Sequence, residues 1–101
     1  MQFTKSNWER FETHSKKTTI RMHELKAGVH KVASGMFKRR ESLGKVYVHP
    51  YEKKCKVCEL TEQDAKDDGF DSLCELLIEL AHRNPNLTAY DYVYKQGVDK
   101  L

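Results

Sequence analysis

Thr61-Glu62-Gln63-Asp64-Ala65, closed by Gly69, and the following Ser72-Leu73-Cys74-Glu75-Leu76-Leu77 decide how this chain folds. Thr61 with Asp64 three residues on is a helix start, because the hydroxyl can take a free backbone N–H of the first turn, and Gly69 is its stop. Ser72 and Glu75 repeat the arrangement as a capping box, and Leu73, Leu76, Leu77 and Leu80 then recur at i, i+3, i+4, i+7, the apolar stripe of a helix laid on a core. Asn84-Pro85 ends that helix. Beyond it Tyr90, Tyr92 and Tyr94 alternate with Asp91 and Val93, the period of two that predicts a closing strand.

Working back toward the N-terminus, Val46 and Val48 alternate with Lys45, Tyr47 and His49 in another half-buried strand. Pro50 cannot donate to a ladder, so a turn, bulge or edge is expected there before an extended segment from Lys54 to Leu60. Val29 to Ser34 reads as a strand ended by Gly35, and the Lys38-Arg39-Arg40 run as a loop closing at Gly44. Thr18-Thr19-Ile20-Arg21-Met22 is β-branched and short, hence extended. Ser6 followed by Glu9 has capping-box spacing and predicts a first helix over 7–14, with Trp8 and Phe11 on one face. Short strands, a first helix and a helix pair before the last strand make an α+β fold with a small mixed sheet, expected to curl into a barrel.

The chain has 101 residues, 39% hydrophobic and 33% charged, which is one core and a heavily charged surface. A single domain spanning 1–101 is expected. No apolar run approaches the roughly 18 residues of a membrane span, and Met1 to Asn7 is too polar for the apolar part of a signal peptide. The expectation is a cytoplasmic monomer with no membrane contact. Cys55, Cys58 and Cys74 are too few and odd in number for a disulfide framework. On a strand, Cys55 and Cys58 point to opposite faces, so neither a metal nor a cofactor is expected there. The net charge is +3, and the basic residues concentrate between Lys16 and Arg40, whereas Glu59 to Glu79 is acidic. Polyanions are favoured partners of the basic half.

Lys16-Lys17-Thr18-Thr19-Ile20-Arg21 is the stretch where chemistry is most concentrated. Thr19 and Arg21 share a strand face, and Lys16 in the preceding loop is free to fold back towards them. A lysine beside an arginine has its ammonium disfavoured and can act as a base for a threonine nucleophile. A solvated or phosphate-binding strand face is the other reading of the same residues. The tyrosines of the last strand have two readings as well, as a platform for nucleobases or as core and rim of the fold.

Trp8 to Glu12, Lys16 to Arg21, Lys26-Ala27-Gly28-Val29, Leu60 to Ala65 with Gly69-Phe70, and Tyr90 to Tyr94 together resemble, in this order and over most of the chain, the ASCH domains. The resemblance implies a PUA-like β-barrel with helices around a cleft and a nucleoside or RNA partner. It is strongest to small bacterial proteins that hydrolyse the acetyl amide of N4-acetylcytidine. In that group a lysine base, a threonine nucleophile and a glutamate acid correspond to Lys16, Thr19 and Asp68, the last with one methylene fewer. Arg21, Lys17, Lys38, Arg39 and Arg40 would then bind substrate or RNA, without metal or cofactor. A non-catalytic RNA-binding module and a ribonuclease-type activity in the same cleft are the alternatives implied by the same resemblance.

Overall fold

The computed structural model describes residues 1–13, 16–35 and 41–101. The order of elements is α1 (Lys5–Glu12), β1 (Thr18–Arg21), β2 (Gly28–Ser34), β3 (Glu41–Lys56), a 3-10 turn (Val57–Glu59), α2 (Glu62–Asp67), α3 (Leu73–Arg83) and β4 (Tyr92–Lys100). The fold is α+β, with an N-terminal helix and a helix pair before the last strand. No helix among the described residues is long and apolar enough to cross a membrane.

The four strands form one sheet in the order β1-β4-β3-β2, and every neighbouring pair is antiparallel. The expected mixed sheet and closed barrel are therefore both corrected. Closure around a filled interior takes about eight strands, and four leave the sheet open among the described residues, with β1 and β2 as its edges. The β2 edge is partly covered by the N-terminal segment, where Gln2 bridges Ala33 and the Phe3 N–H donates to the Ala33 carbonyl at 3.1 Å.

Three boundaries also differ from the sequence expectation. Thr4 caps α1 in place of Ser6, its hydroxyl accepting the Asn7 N–H at 3.1 Å, and this brings the helix start forward to Lys5. Pro50, by contrast, takes the bulge, one of its expected outcomes, and the strand continues through it. The proline falls where the register shifts between Val48 and Tyr51, so the ladder loses no donor it needs, and the neighbouring His49 carbonyl accepts from the Gln96 side chain at 3.0 Å. Gly44 lies within β3, next to the shift opposite Val32 and Ala33, and does not close a loop. The extended segment stops at Lys56 and not Leu60, because residues 57–59 tighten into the 3-10 turn.

Alternation along the strands distributes the core between two clusters. Ile20, Cys55, Val57 and Val93 pack with Leu76 and Leu80 of α3 and Ala65 of α2. Val32, Val46, Val48 and Val98 pack with Phe3 and Phe11, and Trp8 flanks them. Of the leucine stripe, Leu76 and Leu80 are fully buried, while Leu73 and Leu77 are partly so. Truncating either buried leucine to alanine removes about 2–5 kcal/mol.

Candidate active site

The end of α2 and the segment before β1 are stitched together by main chain. Thr61 caps α2 through a capping box with Asp64, and Asp68 occupies its C-terminal cap, its N–H donating to the Asp64 carbonyl at 3.1 Å. Gly69 follows at φ 87°, which a side chain rarely adopts, and a Cβ there would stand 3.0 Å from the Lys16 Cβ. That absence lets Lys16 bridge Asp68 in antiparallel fashion. The Lys16 N–H donates to the Arg10 carbonyl at 3.0 Å, and the Lys17 N–H donates to the Asp67 carbonyl at 2.6 Å.

Held this way, Lys16 turns its side chain inward. Its Nζ lies 2.7 Å from Asp68 Oδ1, with the two side chains 3% and 1% exposed. Thr18 Oγ1 lies 3.5 Å from the same oxygen. Asp68 Oδ2 is buried and has no hydrogen-bond partner among the described residues. Burial pushes the Lys16 amine down from the ordinary lysine value. Asp68 pulls the other way by charge and hydrogen bond, whereas Arg83 and Arg21 add to the fall. The same burial pushes the Asp68 carboxyl up, against the opposing charges of Lys16, Arg83 and Arg21. Desolvation therefore moves both partners toward their neutral forms.

Thr19 is 2% exposed. Its Oγ1 accepts the Arg21 Nε–H at 3.1 Å, which leaves the hydroxyl proton available to a base. The Arg21 guanidinium also donates to the Gln2 carbonyl at 2.7 Å. Phe3 ties the two cations into one place, its ring centroid being 5.3 Å from Lys16 Nζ and 5.9 Å from the Arg21 guanidinium carbon. Among the described residues, three cavities have Arg83 in their walls. Two of them also touch Phe3 or Arg21, and neither of these is lined by Lys16, Thr19 or Asp68. One, of about 330 Å³, is lined by Gln2, Phe3, Asn7 and Ser34, and the other, of about 280 Å³, by Arg21, Met22 and His23. Both are near the lower end of the size of small-molecule sites, about 300–1,000 Å³.

Of the residues expected from sequence, Lys16 and Asp68 are brought into direct contact, and Thr19 and Arg21 bond to each other, whereas the hydroxyl that reaches Asp68 is that of Thr18. Lys17 faces outward and, among the described residues, contributes backbone bonds alone. Lys38, Arg39 and Arg40 lie outside the described residues. Asp67 is bound to Lys95 at 2.7 Å, and Glu62 accepts the Leu73 N–H at 3.0 Å, so neither substitutes for Asp68. Cys55 is buried at the end of β3 and Cys58 exposed on the 3-10 turn. Sequence reasoning missed Thr18, Phe3, Gln2 and Arg83. The first was visible as a hydroxyl next to Thr19, but the other three reach the site only through the fold.

Comparisons with protein-family models, with curated proteins and with solved structures find no match. The chemistry of the site is thus read from its own geometry. A buried amine and carboxyl that both tend to neutrality can take and give a proton within one hydrogen bond, next to a buried hydroxyl and two guanidinium groups.

Proposed function

We propose that this chain is an amidohydrolase that removes the acetyl group from N4-acetylcytidine, as free nucleoside or within RNA. The observation that carries the reading is the buried Lys16–Asp68 contact at 2.7 Å, with one carboxyl oxygen of Asp68 left unpartnered. A purely structural ion pair would gain by filling that second oxygen, whereas an acid can hold its proton there, and because Oδ2 is buried a substrate atom reaches it only when the site opens.

In the reaction, Lys16 as the free amine takes the Thr19 hydroxyl proton, and the alkoxide adds to the acetyl carbonyl. Arg21 and Arg83 supply positive charge for the oxyanion that develops. Asp68 as the carboxylic acid protonates the N4 nitrogen as its bond to the acetyl carbon breaks, releasing cytidine and leaving an acetyl ester on Thr19. Lys16 then passes its proton to the Asp68 carboxylate across their contact, which resets both groups. It next takes a proton from water, whose attack on the ester releases acetate while that proton returns to the Thr19 oxygen. The Arg21 hydrogen bond to Thr19 Oγ1 supports this assignment, since it favours the oxygen's negative form.

Cytidine release from N4-acetylcytidine, followed chromatographically, tests the proposal. The unmodified chain is expected to turn over, and Lys16→Ala and Thr19→Ala each to lose about 10²- to 10⁴-fold in rate. No release by the unmodified chain, or an unchanged rate in either variant, would overturn it.

A further inference from the structure

The alternation that buries Val93 and Lys95 on β4 turns Tyr92 and Tyr94 to the other face of the strand. There they meet the end of β3, where Lys56 pairs with Tyr92 and Lys54 with Tyr94. Lys54 Nζ lies 5.2 Å from the Tyr92 ring centroid and 5.3 Å from that of Tyr94, and Lys56 Nζ lies 5.9 Å from that of Tyr90. Tyr51 stands edge-on to Tyr94 with centroids 5.4 Å apart. These rings are not core: Tyr51 is 46% exposed, Tyr92 51% and Tyr90 74%.

Pairing of lysine with tyrosine across two strands is an ordinary means of supporting a sheet, and it accounts for Lys54. It does not account for Tyr90, which precedes the strand and is the most exposed ring among the described residues. Of the carboxylates along the row, Asp91 accepts the Thr88 N–H at 2.8 Å, Glu59 accepts the Lys56 N–H at 2.8 Å, and Glu52 next to Tyr51 pairs with Lys95 at 3.4 Å. What remains outward is a run of aromatic faces with ammonium groups between them.

We infer that Tyr51, Tyr90, Tyr92 and Tyr94 with Lys54 and Lys56 form a stacking platform for single-stranded nucleic acid. Every base has a π-face for a ring, and the ammonium groups between rings are placed for the phosphates that join successive bases. Tyr92 and Tyr94 are two residues apart on a strand, about 6.6 Å, roughly twice the 3.4 Å spacing of stacked bases, which leaves each ring room for its own base. The platform also has a direction. Tyr94 is directly opposite Arg21 in the β1–β4 register, and Arg21 bonds Thr19, so a strand lying on the tyrosines runs up to the candidate active site. The platform itself does not depend on the reaction proposed there.

Fluorescence anisotropy of the full chain with an unmodified, labelled oligonucleotide of about 10 nucleotides tests this, in RNA and DNA forms of one sequence. These probes carry no acetyl amide, so the result is separate from any deacetylation. Saturable binding of either form is expected, weaker for the corresponding duplex, whose bases are already stacked. Tyr90→Ala with Tyr92→Ala should weaken it about 10-fold or more, while Tyr90→Phe with Tyr92→Phe retains it. Lys54→Ala should reduce the slope of log affinity against log salt by about 0.7. Circular dichroism checks that the exposed substitutions leave the fold intact. No binding of either form at low salt, equal binding of single strand and duplex, or unchanged affinity in the double alanine variant would overturn the inference.

Discussion

Helix α2 carries two buried carboxylates one turn apart, Asp64 and Asp68, and each meets a lysine from another element. The two pairs differ in how many hydrogen bonds reach the carboxylate. Asp64 Oδ1 accepts from Lys95 at 2.9 Å, and its Oδ2 accepts from Lys53 at 2.6 Å and from the Thr61 N–H at 2.9 Å. Burial would raise the Asp64 carboxyl, but these three donors outweigh it and hold it well below the usual carboxylate range. Lys95 is likewise held above the ordinary lysine value, because Asp67 and Asp64 outweigh the burial that would lower it. At Asp68 there is one strong donor and an orphaned oxygen, desolvation prevails, and both shifts reverse. The same two residue types thus make a fixed ion pair at one end of the helix and, at the other, a pair that burial moves toward its neutral forms.

Breaking one side of the second pair should have the largest effect on stability. Lys16→Met leaves Asp68 buried without its counter-charge and should destabilise the domain by about 3–5 kcal/mol in a denaturant melt, most of which Asp68→Leu added to it restores. If the double variant is no more stable than the single one, the pair is not coupled. The first pair should respond next. Asp64→Asn removes charge-assisted hydrogen bonds and should cost about 2 kcal/mol near neutral pH. Because Asp64 has a lower pKa folded than unfolded, its stabilisation is present above about pH 4 and is lost as pH falls below it. The urea midpoint should accordingly drop less between pH 5 and pH 3 in Asp64→Asn than in the unmodified chain, and equal drops would contradict the assignment. The smallest effect is expected from Asp68→Glu. An extra methylene in a side-chain site 1% exposed should cost about 1 kcal/mol by overpacking, and no loss would mean that the site has more room than the structure gives it.

The local parts of this arrangement are legible in the sequence. Thr61 with Asp64, Gly69 at the helix end and the Leu76/Leu80 stripe depend on neighbours within a turn or two, and each forms as expected. The pairing of Thr19 with Arg21, two residues apart on one strand face, is legible for the same reason. Asp68 entered only through the ASCH resemblance, since its contact with Lys16 spans 52 residues. Lys95 gave no signal beyond its place on a strand, because its partners lie on a helix packed over that strand. Alternation placed the tyrosines on one face, but a period of two does not say which face a helix covers, and here α2 and α3 cover the other. Pro50 marked the interruption, and of the turn, bulge or edge it allows the structure takes the bulge, which absorbs a missing donor without ending the strand. The barrel failed for a reason of number: short strands could be counted, but four of them do not close.

The contrast between the two pairs can be measured on the lysines themselves, by following the Cε resonances of Lys16 and Lys95 through an NMR pH titration of the folded chain. Lys16 is expected to titrate below the ordinary lysine value of about 10.4, and Lys95 to stay charged past it until the protein unfolds. Lys16 titrating at or above that value, together with Lys95, would make both pairs structural and contradict the proposed chemistry.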